Sequence, residues 1–153
     1  MFKLKLFFAL LMFVIFASCS SEETLTPEQE NQKIEEYITS KKLIVTEKTT
    51  SGLRYILTKT NASGAKVANG QTIAVIYAGR LLTDKQFDAG NFSFVLGSGN
   101  AIEGFDLGIA KMRIGEKATL IFPSALGYGS RSQGSDIPAY SPLVFDIEVI
   151  SAR

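Results

Sequence analysis

The side chains most often used for covalent and proton-transfer chemistry are nearly missing from this chain. It has no His and no Trp, and its only Cys is Cys19. Without His, the usual His-based triads, His proton shuttles and most zinc sites are excluded. One Cys can form no intrachain disulfide and no metal-holding Cys cluster. There is no Walker or dinucleotide-binding pattern, so Gly79, Gly97, Gly104, Gly115 and Gly127 read as turn and close-packing residues. No metal site and no cofactor is expected. The chain does have rings in number, with 11 Phe and 5 Tyr. One at a time, such rings are more often core than ligand-binding, and Phe94 and Phe122 read as core beside Leu120. Phe105 and Phe145 stand evenly between the core and the wall of an apolar cleft. Asp88 on its own reads as a solvated turn carboxylate, but its place directly after Phe87 points to a pocket.

Cys19 has a different context. Lys3 and Lys5 form a short basic start, an apolar run follows from Leu6 to Phe16, and Ala17-Ser18-Cys19 closes it. The run falls short of the roughly 18–20 residues that span a bilayer comfortably. Residues 1–18 therefore read as a signal peptide. The small residues before Cys19 resemble a lipobox, with Phe16 where that pattern prefers Leu. This implies cleavage before Cys19, its acylation, and a lipid anchor in the cell envelope. The expected site is the outer membrane, facing the periplasm or the cell surface. Each buried methylene of such an anchor adds about 0.8 kcal/mol. Ser20-Ser21-Glu22-Glu23 resembles, weakly, the acidic stretch after the lipid Cys of some Bacteroidetes lipoproteins.

The elements that must position the rings follow from spacing. Residues 19–26 read as a polar tether. Thr26-Pro27-Glu28 opens a helix, with Thr as N-cap, Pro at N1 and an acid in the first turn. Ile34, Tyr37 and Ile38 give it one apolar stripe, so an amphipathic helix is predicted over 27–41, as a spacer or a packing element. From residue 42 onward, β-rich runs alternate with turns. Strands are predicted at 43–45, 53–59, 72–82, 92–96, 117–122 and 143–151. The turns between them are marked by Asn69-Gly70, Thr83-Asp84-Lys85, Gly97-Ser98-Gly99 and Gly127-Tyr128-Gly129. One short helix is predicted over 102–112, with Phe105, Ile109 and Met112 on one face. Antiparallel strands with a helix against one face make an α+β domain over 42–153. The net charge is +1, and becomes −1 once Lys3 and Lys5 leave with the leader. Such near-neutrality argues against nucleic-acid binding.

Seven strings occur in the order of one family. They are Val75-Ile76-Tyr77-Ala78-Gly79; Phe87-Asp88; Phe92 to Gly97; Ala101-Ile102-Glu103-Gly104-Phe105; Met112-Arg113-Ile114-Gly115-Glu116; Gly127-Tyr128-Gly129; and Ile137-Pro138 with Leu143 to Glu148. Over residues 50–151 the chain resembles FKBP-type peptidyl-prolyl cis/trans isomerases. The resemblance implies a curved antiparallel sheet wrapped around one short helix, here with an N-terminal helical extension. It implies a pocket with Phe105 as floor and Tyr77, Phe87, Phe92 and Phe145 as walls. Ala101 and Ile102 would open the helix, with the Ile102 N–H meeting a ligand carbonyl. The Tyr128 hydroxyl would donate to a second carbonyl. Asp88 would lie near the proline ring, hydrogen-bonded to the Tyr77 hydroxyl, and Ile137 would form a lip. The family's ligands are X-Pro polypeptides and macrolide inhibitors. Two departures stand out: a short stretch from Phe87 to Phe92, and Gln133 and Asp136 in the loop after Tyr128. Asp136 would put a charge near the lip.

The activity implied is rotation about X-Pro bonds of exported proteins. Amide rotation breaks no bond and moves no proton, which suits a chain without His. A different class of function stays open, that of a non-catalytic peptide-binding or assembly module. The layout is also similar to that of FKBP-type lipoproteins that serve as gliding-motility accessories in Bacteroidetes.

Overall fold

The structure, a computed structural model, describes residues 25–153. Cys19, the expected leader over 1–18 and most of the expected tether over 19–26 lie outside the described residues. The first helix, α1, runs over Pro27–Ser40. Thr26 and Gln29 cap it reciprocally. The Thr26 hydroxyl accepts from the Gln29 N–H at 3.3 Å, and the Gln29 side-chain oxygen accepts from the Thr26 N–H at 2.8 Å. Pro27 stands at N1, where no intrahelical donor is needed.

Six strands form one antiparallel sheet: β1 (Glu47–Lys48), β2 (Arg54–Lys59), β3 (Thr72–Leu81), β4 (Gln86–Val95), β5 (Lys117–Phe122) and β6 (Leu143–Ala152). Their order across the sheet is β1-β2-β5-β6-β3-β4. A short helix, α2 (Glu103–Ile109), and a 3₁₀ turn, η1 (Ser124–Leu126), lie between strands. This is the FKBP-like fold.

Strand alternation feeds two cores, one on each face of the sheet. On one face Leu53, Tyr55, Leu120, Phe122, Leu143, Phe145 and Ile147 pack with Phe105, Ile109 and Met112 from and just after α2. Two glycines let α2 approach closely. A Cβ at Gly104 would lie 2.6 Å from the Phe122 ring, and one at Gly108 would lie 2.2 Å from Leu120. On the other face Ile56, Ile121 and Val144 pack with Ile34, Tyr37 and Ile38 of α1. Helix α1 is therefore a packing element rather than a spacer. Fully burying an aliphatic side chain of this size contributes about 1.5–3 kcal/mol. Arg54, with no exposed surface, reaches up to the same helix. It donates to Glu35 Oε1 at 2.7 Å and to Asn31 Oδ1 at 2.9 Å.

Several boundaries differ from expectation. Residues 43–45 are not a strand. Leu43 and Val45 pack against the α1 cluster, and the paired residues are Glu47–Lys48. Strand β4 begins at Gln86, earlier than the predicted 92–96. Its Asp-Ala-Gly-Asn stretch is a poor strand former, but pairing with β3 from Gly79↔Asp88 to Thr72↔Val95 overrides local propensity. Helix α2 stops at Ile109 rather than 112. The next turn tightens, as the N–H groups of Lys111 and Met112 donate to Gly108 and Ile109 carbonyls. Turn η1 was not anticipated.

Candidate functional site

Between α2 and the sheet lies a cavity of about 330 Å³, within the range of small-ligand pockets. Its lining comprises Tyr77, Phe87, Asp88, Phe92, Asn100, Ala101, Ile102, Phe105, Tyr128 and Phe145. Strands β3, β4 and β6, helix α2 with the residues that open it, and the loop carrying Tyr128 contribute. Register explains most of it. Tyr77 lies opposite Gly90 and Gly79 opposite Asp88 on the β3–β4 pair. The Tyr77 and Asp88 side chains are thus diagonal neighbours on one face. Phe92, opposite Val75, continues that face. Phe145 of β6 lies opposite Gly79 on its other side. A Cβ at Gly79 would come within 2.8 Å of both the Phe87 and Phe145 rings. The bare backbone there lets those two rings meet, edge to face with centroids 5.7 Å apart.

Phe105 forms the floor, at 4 % exposure. Its ring centroid is 5.3 Å from Phe145, 5.9 Å from Tyr77 and 6.2 Å from Phe92, all in edge-on contact. Such contacts each contribute about 0.5–1.5 kcal/mol beyond area burial. Phe122 stacks behind Phe145 at 5.8 Å. The rings hold one another and leave the cavity open on the side of Tyr77, Phe87, Phe92 and Tyr128, which are only partly buried.

Polar groups at the cavity are few. The Tyr77 hydroxyl donates to Asp88 Oδ2 at 2.6 Å. That bond, then burial and the Asp88 charge, push the Tyr77 phenol up to about 12. Burial, then the Asp88 charge, raises Tyr128 above the ordinary phenol value. Both phenols are therefore neutral donors at physiological pH. The Ile102 carbonyl accepts from Phe105 and Asp106, opening α2. Among the described residues no protein group accepts from the Ile102 N–H, and Ile102 lines the cavity. An apolar ring can thus be enclosed, with the Tyr128 hydroxyl and the Ile102 N–H available to its carbonyls.

Ile137 is the exception among the expected cavity residues. It does not line the cavity. Its side chain is 5 % exposed within the main core, and its backbone bridges to Gln133. Asp136 does not line the cavity either; its Oδ1 accepts from Lys85 Nζ at 2.9 Å. The short stretch between Phe87 and Phe92 keeps both rings on the wall, inside an unbroken strand. Asn100 was missed. It is the polar residue directly before Ala101, and its place next to the helix opening was the available signal.

Comparison with known proteins agrees with this geometry. A family model described as FKBP-type peptidyl-prolyl cis-trans isomerase matches residues 63–150. FK506-binding protein 4 of Rhizopus delemar is 43% identical over 94 residues, covering 59% of this chain and 25% of the relative. FK506-binding protein 2 of Dictyostelium discoideum is 40% identical over 90 residues, covering 56% of this chain and 68% of the relative. The chain spans a quarter or less of the length of the first curated relatives it matches. Among solved structures, FkpA from Escherichia coli superposes with a TM-score of 0.70 at 27% identity, covering 82% of this chain and 60% of that one. AtFKBP13 superposes with a TM-score of 0.64 at 34% identity, covering 69% and 97%.

Proposed function

This chain belongs to the FKBP-type peptidyl-prolyl cis-trans isomerase family, and from that premise we propose that it accelerates rotation about X-Pro bonds of exported proteins in the cell envelope. The observation that carries the reading is the ring-floored cavity with a neutral Tyr128 hydroxyl and, at its edge, an Ile102 N–H without an acceptor among the described residues. The planar amide is resonance-stabilised, which sets a rotational barrier of roughly 18–20 kcal/mol. Its planar form is charge-separated, and its twisted form has lost that resonance. An apolar cavity favours the twisted form relative to water, and such differential binding is what catalysis requires. A million-fold acceleration would need about 8 kcal/mol of this preference. Tyr128 and the Ile102 N–H hold the carbonyls of the twisted peptide without transferring a proton. Asp88 holds the Tyr77 ring in the wall. Macrolide ligands of the family would compete for the same cavity.

The test is refolding of a protein whose slow step is X-Pro isomerisation. Acceleration by catalytic amounts is expected; refolding at the buffer rate would remove the enzyme and leave a peptide-binding or assembly module. The envelope location rests on residues 1–19, whose pattern supports signal-peptide removal and acylation at Cys19. Radiolabelled palmitate should mark wild type and not Cys19→Ala, and label on both would exclude that anchor. The layout supports a narrower setting, the assembly of gliding-motility proteins. Loss of colony spreading on deletion, restored by wild type, is the result expected there.

A further inference from the structure

Away from the cavity, one contact joins α1 to the loop that carries Tyr128. Glu30 is 4 % exposed and Ser124 is 3 % exposed. Glu30 Oε2 accepts from the Ser124 backbone N–H at 2.6 Å, and Oε1 accepts from the Ser124 hydroxyl at 2.7 Å. These are short bonds to a charged acceptor, made between residues 94 apart in sequence. Ser124 is the first residue of η1, and Pro123 before it supplies no side-chain cap. The Ser124 N–H is therefore a donor that the turn itself cannot satisfy. Glu30 satisfies it from another element.

The chain then folds back on Ser124. Its carbonyl accepts from the Gly127 N–H at 2.8 Å and the Gly129 N–H at 2.9 Å. Tyr128 stands between those two donors. The Ser124 peptide thus sets where the Tyr128 backbone lies, and Glu30 sets where Ser124 lies. Packing α1 on the sheet needs no carboxylate at this place, because Ile34, Tyr37 and Ile38 already supply its apolar face. A buried charge is costly unless fully hydrogen-bonded, and what it adds here is a fixed geometry.

We propose that Glu30 is a positioning residue for the Tyr128 hydroxyl, which makes α1 part of the isomerase site though it touches no ligand. The inference rests on the isomerase reading for its kinetic consequence. Glu30→Gln keeps the shape of the side chain. It removes the charge and presents an amide NH₂ where one of the two acceptor oxygens stood.

The test is a double-mutant cycle on the full chain with an X-Pro peptide, using Glu30→Gln, Tyr128→Phe and the pair. Glu30→Gln alone should lower kcat/KM about fivefold, and by no more than Tyr128→Phe itself does. In the Tyr128→Phe background the same change should cost less than about twofold, since the hydroxyl it positions is gone. Ile38→Val, which trims α1 packing far from Ser124, should lower Tm with kcat/KM unchanged. In amide spectra, Glu30→Gln should shift the Gly127, Tyr128 and Gly129 resonances and leave those of α2 in place. Should Glu30→Gln not fold, Ser124→Ala carries the same cycle. Equal losses in both backgrounds, or unmoved Gly127 and Gly129 resonances, overturn the proposal. If the wild type proves inactive, the isomerase reading falls, and the resonance shifts still decide whether Glu30 governs the loop.

Discussion

The Tyr77–Asp88 hydrogen bond, at 2.6 Å, joins two strands across the open end of the cavity and fixes the one carboxylate in its lining. Asp88→Ala frees the Tyr77 ring and removes that charge, whereas Tyr128→Phe removes one neutral donor and leaves the wall intact. A single neutral hydrogen bond is worth about 0.5–1.5 kcal/mol. Tyr128→Phe should therefore lower kcat/KM roughly two- to tenfold, and Asp88→Ala more; steady-state rates on an X-Pro peptide decide the order. Phe145→Ala should lower the rate strongly too. It also empties a core site at 4 % exposure, costing about 3–5 kcal/mol of stability by denaturant titration. The pH dependence follows from the phenols. Tyr77 is raised to about 12, and Tyr128 is raised as well. Activity should be flat from about pH 6 to 9, because both phenols stay protonated there. A raised phenol adds stability that is complete below the unfolded value near 10 and is lost as pH climbs through the folded value. A bell-shaped profile centred near neutrality would point to a proton-transfer step that this site does not contain.

Helix α1 shows what an element's own residues reveal and what they hide. Its start was legible, because Thr26, Pro27 and the 34/37/38 stripe are local signals, and the helix over Pro27–Ser40 stops one residue short of the 27–41 expected. Its partners were not legible. Ser124 and Arg54 lie far along the chain, and nothing in their neighbourhood announces a carboxylate or an amide from α1. Strand β4 makes the complementary case. Asp88-Ala89-Gly90-Asn91 reads as a loop by composition, and only register with β3 makes it a strand. The cavity residues were legible through ordered strings that carry fold and pocket together. Ile137 stands outside the lining because the loop around Gln133 turns it into the core, and strings do not encode how such a loop folds. One prediction belongs to this scale. A chain beginning at residue 42 exposes Ile56, Ile121 and Val144 and leaves Arg54 without Glu35 and Asn31. Its Tm should fall sharply against a chain beginning at residue 25, and equal melting curves would contradict the seating of α1.

Across the whole molecule, one sheet separates two tasks. One face holds α2 and the cavity; the other holds α1 and a set of charges. Among these, Lys48 and then Arg54 hold the Glu35 carboxyl below the usual range through hydrogen bonds. Lys41 and then Tyr37 do the same for Asp84. Carboxylates depressed in this way contribute stability above their unfolded values, and that contribution is lost as pH falls through the folded ones. Acid should therefore loosen α1 before the cavity. As pH falls below about 4, hydrogen exchange should rise first in α1, and simultaneous exchange in α2 would refute this order. The fold serves the proposed chemistry by keeping an apolar hole open in a close-packed domain, at the junction of α2, β3, β4 and β6. The most direct measurement is the cis/trans exchange rate of a short Ala-Pro peptide, read by magnetisation-transfer NMR with a small fraction of the protein present. Uncatalysed exchange takes tens to hundreds of seconds. Saturable exchange faster than one per second, reduced in Asp88→Ala and abolished by a macrolide competitor, is the expected result. Exchange at the buffer rate from a folded protein that still binds the peptide would contradict the claim that this cavity favours the twisted amide.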